Sequence, residues 1–149
     1  MSMNPVAGPV GITPRTETVR LTAYAALSKG DLVAISTVVT SGRFATTIAV
    51  ANNAGTTTAD NATGIFAVAL ESIASGAVGD FAFAGIVDVL IQGTPALGIA
   101  MSAQGGADKD AITAVVGDKI LGYMLEVGVD ATVGSMMFDG YNGFGLKDA

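Results

Sequence analysis

Apolar and polar residues alternate with a period near two along most of this 149-residue chain. Val19, Leu21 and Ala23 share one parity, with Arg20, Thr22 and Tyr24 on the other. Phe44, Thr46, Ile48 and Val50 alternate with Ala45, Thr47 and Ala49. Residues 31–36 form a short apolar run, and residues 65–70 are apolar at both parities. The longest candidate is 81–91, which predicts Phe81, Phe83, Val87, Val89 and Ile91 on one side. Runs at 120–127 and 132–138 complete the set. Short segments rich in Val, Ile, Phe and Thr, separated by Gly, Asn, Asp and Ser, predict an all-β domain. Strands apolar on both faces suit a compact β-sandwich or barrel interior that also meets a neighbouring subunit.

Punctuation supports this reading. Gly30-Asp31, Gly79-Asp80 and Gly117-Asp118 each read as a turn into a strand, because Gly supplies unusual φ and Asp bonds back to nearby N–H groups. Their unequal spacing argues against a repeat. Residues 52–63 are a polar, low-complexity loop. One short helix has a place at 94–103, where Thr94 caps and Pro95 takes the first helical position. Gly98 lies inside it, and 99–103 reads equally as a strand.

The ends differ from the middle. Residues 1–16 carry Pro5, Pro9 and Pro14, which disfavour helix, together with apolar Val6, Val10 and Ile12. They read either as a frayed terminus or as an extended arm that orders on a partner. Residues 17–140 form the β-rich domain, and 141–149 a tail. The stretch Met136, Met137, Phe138, Tyr141 and Phe144 mixes large apolar groups with Gly. Met and aromatic residues are enriched at interfaces, so these five are candidate oligomer contacts. Met136–Phe138 reads equally as the last core strand.

Composition changes the picture by exclusion. There is no Cys, no His and no Trp. Disulfides, Cys or His metal sites, and Ser-His-Asp or Cys-His catalysis are ruled out. Seven Lys+Arg against thirteen Asp+Glu give a net charge of −6, a poor match for phosphate backbones. No phosphate loop or dinucleotide fingerprint occurs. Asp108-Lys109-Asp110 lacks the further oxygens of a calcium loop and reads as a solvated turn. Asp88 lies mid-strand and reads as an outward position near a loop or interface. No enzyme, cofactor or metal function is expected. The longest charge-free stretch, 89–107, is too interrupted by polar residues for a membrane helix, and the N-terminus does not resemble a signal peptide. Only 13% of residues are charged, against about 25% in a typical soluble domain. Small apolar residues on both strand faces make that deficit readable as interface area.

The order of short motifs over residues 16–138 resembles the decoration, or cement, proteins of tailed-phage capsids, in the small β-rich lambda-type branch. The motifs are Leu27-Ser28-Lys29-Gly30-Asp31-Leu32-Val33, Gly64-Ile65-Phe66-Ala67-Val68-Ala69-Leu70, the strand at 81–90, Pro95-Ala96-Leu97-Gly98-Ile99-Ala100-Met101-Ser102-Ala103 and Ile120-Leu121-Gly122-Tyr123-Met124-Leu125-Glu126. The resemblance implies a structural protein on the outer surface of an expanded head, made in the host cytoplasm. It would act as a homotrimer that bridges major capsid protein subunits, without nucleic acid or membrane. It also implies that the arm residues Pro5, Val6, Pro9, Val10, Ile12, Pro14 and Arg15 contact the capsid. Another phage virion β-domain, from a tail tube, fibre or adhesin, is the alternative.

Overall fold

The computed structural model describes residues 16–23, 25–37, 48–50, 65–103 and 109–148. Among them there is no helix, and the chain is all-β. The strands are β1 (Glu17–Ala23), β2 (Leu32–Thr37), β3 (Ile48–Val50), β4 (Phe66–Ala69), β5 (Val78–Ile91), β6 (Ala100–Ala103), β7 (Ala111–Thr113), β8 (Gly122–Met124) and β9 (Thr132–Asp139). The arm at 1–15, the polar loop at 52–63 and the alternation at 44–47 lie outside the described residues.

The strands close into two rings that share β5. The first runs β1-β3-β2-β4-β5 and shuts through the β1–β5 pairing. The second runs β5-β7-β6-β8-β9 and shuts through β5–β9. Closure removes most free edges.

β5 serves both rings because its side-chain parity changes halfway. Against β1, Thr18 pairs with Ala82 but Glu17 pairs with Ala84, so Phe83 is an extra residue. Such a bulge re-aims the strand beyond it, and Gly85, at φ +114°, follows two residues later. Before the bulge, Phe81 enters the first core and Ala82 the second; beyond it, Val87, Val89 and Ile91 all enter the second. The sequence pattern placed Phe81 and Phe83 on one side with Val87, Val89 and Ile91. The bulge overturns that, since period two holds only within an unbroken strand.

Each ring has its own core. Leu21 and Ala23 of β1, Val33 of β2, Ala67 and Ala69 of β4, and Phe81 of β5 fill the first, with Leu27 and Ile73. Met101, Ala111, Leu121, Met124, Met136 and Phe138 join the late β5 residues in the second. Leu32, Phe66, Val68 and Ala82 reach that second core from the strands of the first ring. All four residues of β4 are therefore buried within one chain. Its two apolar faces need no neighbouring subunit, which corrects the interface reading for this strand. Full burial of a Leu, Phe or Val side chain contributes about 1.5–3 kcal/mol.

Two Gly-Asp dipeptides form the same turn. Asp31 N–H donates to Ser28 O at 3.1 Å, and Ser28 N–H donates to Asp31 Oδ2 at 2.8 Å. Asp118 N–H donates to Val115 O at 3.0 Å, and Val115 N–H to Asp118 Oδ2 at 3.0 Å. Gly30 and Gly117 both sit at φ +94° in the third position, which a side chain would disfavour. Gly79-Asp80 differs: it lies inside β5, and the turn before it is residues 74–77. There Asp80 carries an ion pair with Arg20 at 3.1 Å.

The helix at 94–103 does not form. Gly98 takes φ +79° in a turn, and Ala100–Ala103 becomes β6, paired with β7 and β8. Residues 144–147 of the C-terminal tail are hydrogen-bonded to the domain. Gly117 N–H donates to Lys147 O (2.9 Å), Ile120 N–H to Gly145 O (2.8 Å), Phe144 N–H to Ile120 O (2.8 Å) and Lys147 N–H to Asp118 O (2.8 Å). This short ladder fastens residues 144–147 to 117–120.

Candidate interaction surface

No group of three or more Asp, Glu, His or Cys residues among the described ones is placed to hold a metal ion. No helix among them is long and apolar enough to cross a membrane. Lys109 Nζ donates to Ala26 O at 3.1 Å and lies 3.6 Å from Asp31 Oδ2, so it joins the first turn to the start of β7. Asp88 is exposed and accepts a hydrogen bond from Ser135 Oγ at 3.0 Å. Its outward position agrees with the sequence.

Large apolar side chains flank a polar centre on the second ring's exterior. The antiparallel register sets three rows across it: Tyr123 opposite Met137 opposite Ile86, then Ser135 opposite Asp88, then Val133 opposite Leu90. Met137 is 41% exposed, Val133 46% and Ile86 37%. Phe144 extends the first row through an edge-on contact with Tyr123, with centroids 5.3 Å apart at 71°. Leu97, Val115, Val116, Leu125, Val127 and Leu146 are exposed in the loops of the same ring.

The end of β9 shapes the border of this face. Asp139 Oδ1 accepts from Tyr141 N–H at 3.0 Å and Asn142 N–H at 2.9 Å, which turns the chain and leaves Tyr141 exposed. Beside it is an open cleft of about 470 Å³, lined by Glu17, Phe83, Ala84, Asp139, Tyr141 and Asn142. Lys119 is buried behind it and donates to Tyr141 O at 3.4 Å. Burial pushes the Lys119 ammonium below its ordinary pKa, and the Asp139 charge opposes that shift.

Of the five residues predicted as oligomer contacts, the structure separates two from three. Met136 and Phe138 are fully buried in the second core and offer no side-chain surface, because their parity on β9 points inward. Met137, Tyr141 and Phe144 are exposed. The sequence reading missed Ile86, Tyr123 and Val133. Both parities of 132–138 are apolar, and cross-strand register has no signal in a single sequence. The arm residues Pro5, Val6, Pro9, Val10, Ile12, Pro14 and Arg15 lie outside the described residues.

No known protein family matches the chain, and no curated protein does. Solved structures do match. One is the head fiber gp8.5 N base of bacteriophage phi29, with a TM-score of 0.58 over 86% of this chain and 98% of that chain. The two share a fold. Their sequences are only 14% identical, so the likeness lies in strand arrangement and not in matched side chains.

Proposed function

We propose that this chain is a structural protein of a tailed-phage virion, seated on the outer surface of the capsid. It acts by binding, without catalysis, cofactor, nucleic acid or membrane. The supporting observation is the shared fold with a phage head-fiber base, aligned over 98% of that base. The exposed second-ring face supports an interface role.

In the fuller form of this reading the chain is a homotrimeric decoration protein that bridges major capsid protein subunits. The arm, with Pro5, Val6, Pro9, Val10, Ile12, Pro14 and Arg15, contacts the capsid. Met137, Tyr141 and Phe144, with Ile86 and Tyr123, contact neighbours. Three arms on one trimer gain affinity through effective concentration. A second reading, the base module of a fibre, is favoured by the same likeness.

Co-sedimentation with expanded heads lacking this protein tests the capsid reading. The full chain is expected to pellet with heads, and the chain without residues 1–14 to lose most of that binding while staying folded. A full chain that stays in the supernatant overturns the capsid reading. Equal binding of the truncated chain overturns the arm's role.

A further inference from the structure

The point where the two rings part builds a cleft between two carboxylates. Ala84 of β5 pairs with Glu17 of β1 on one side and with Asp139 of β9 on the other. Paired residues on neighbouring strands carry their side chains on the same face. Glu17 and Asp139 therefore flank a single methyl group, with their Cα atoms two strand spacings, about 10 Å, apart. A side chain longer than that of Ala84 would fill the space between them. The result is the open cleft of about 470 Å³, which Phe83, Tyr141 and Asn142 also line. Phe83, the bulged residue, is half-buried, and Tyr141 is 61% exposed.

The two carboxylates are held differently. Asp139 Oδ1 accepts the Tyr141 and Asn142 N–H groups, which fixes the carboxylate and leaves Oδ2 to a ligand. Glu17 is exposed, and among the described residues its carboxylate has neither an ion pair nor a hydrogen bond. Behind the cleft the Lys119 ammonium lies in the field of Asp139. Two carboxylates against one ammonium leave a single negative charge.

We propose that this cleft receives the side chain of an arginine presented by a different protein. The planar guanidinium lies between the carboxylates, donating to Glu17 from one edge and to Asp139 from the other, a fork that a lysine ammonium does not match. Its one positive charge completes the local balance. The exposed Tyr141 ring offers it a face to stack on, and the carbon surface of Ala84 and Phe83 takes the methylenes of its stem. The described arginine of this chain, Arg20, is already paired with Asp80, so the donor is another protein. A net charge of −6 favours a basic partner in the same sense. The inference deepens the interface reading by naming what the Tyr141 border recognises, and it rests on that reading only for the source of the arginine.

Amide chemical-shift titration of the full chain with a blocked glycine-arginine-glycine tripeptide tests it, with the citrulline tripeptide as the neutral isostere. The arginine peptide is expected to shift Ala84, Tyr141 and Asn142 saturably, and the citrulline peptide to leave them unmoved. Glu17→Gln should weaken binding about fivefold. Tyr141→Ala should weaken it too, while Tyr141→Phe keeps it. Equal binding of the two peptides, or an unchanged affinity in Glu17→Gln, would overturn the proposal. Shifts of the same amides with chain concentration alone would also overturn it, by assigning the cleft to a second copy. Binding seen only in Arg15→Ala would do the same, by assigning the cleft to the chain's own arginine. Failure here leaves the capsid reading standing, since co-sedimentation with heads reads that separately.

Discussion

The two rings share a strand and a construction but not a surface. Around the first ring, the described exterior of β1 and early β5 is mostly polar: Thr18, Arg20 and Thr22 stand outward, Arg20 pairs with Asp80, and Val78 is the exposed apolar exception. Around the second, the equivalent positions are Tyr123, Val133, Met137 and Ile86. Both rings are closed and each has a filled core. Folding therefore does not require the second ring's outer apolar groups. The same residue class has two origins here. On β4, apolarity at both parities comes from burial between two cores of one chain. On β9, it comes from one core and one surface.

The largest effect expected is inside the second ring. Phe138→Ala removes a fully buried aromatic from the larger cluster, and chemical denaturation should show a loss of about 3–5 kcal/mol. Phe81→Ala should cost a similar amount in the first ring, since it is equally buried. If one substitution leaves its ring intact, the picture of two separate cores fails. Gly140→Ala belongs in the same class, because a Cβ there would strike the Phe66 carbonyl where β4 and β9 abut. The Phe66 backbone on one side and the buried Phe138 ring on the other leave little to yield, and thermal melting should show a clear drop.

On the surface the rings should part. Met137→Glu is expected to leave stability within about 0.5 kcal/mol while abolishing self-association. Arg20→Ala should cost less than about 1 kcal/mol, because its ion pair with Asp80 is solvent-exposed, and should leave association untouched. Comparison of melting and sedimentation for these two variants separates an interface from an ordinary surface.

The smallest effect is a pH dependence at Lys119. Its folded pKa lies below the unfolded value of 10.5, so folding penalises the charged form. That penalty is complete at neutral pH and fades as pH rises through the folded value toward 10.5. The stability of wild type relative to Lys119→Met should accordingly improve in the alkaline range. A difference that stays flat with pH would remove the burial argument.

The sequence carried the fold class because period-two alternation reports strands directly. It carried most strand positions for the same reason: 31–36 became Leu32–Thr37, and 132–138 became Thr132–Asp139. It did not carry the closure of two rings, because strand pairing is long-range. Nor did it carry the change of face in β5, because one extra residue at Phe83 is invisible until its partner is known. Ala111–Thr113 is too short to stand out by pattern. Met137, Tyr141 and Phe144 were legible by type, as exposed Met and aromatic groups. For Met136 and Phe138 the core and interface readings stayed level because parity was unknown, and the structure buries both in the core; Ile86 and Tyr123 appear only through register.

The central proposal is that the Tyr123–Met137–Ile86 face is a subunit interface. Light scattering after size exclusion, on wild type and Met137→Glu side by side, tests it most directly. The account predicts a wild-type trimer and a monomeric variant with an unchanged melting temperature. A wild type that is monomeric at every concentration, or a variant that keeps the wild-type mass, would contradict it.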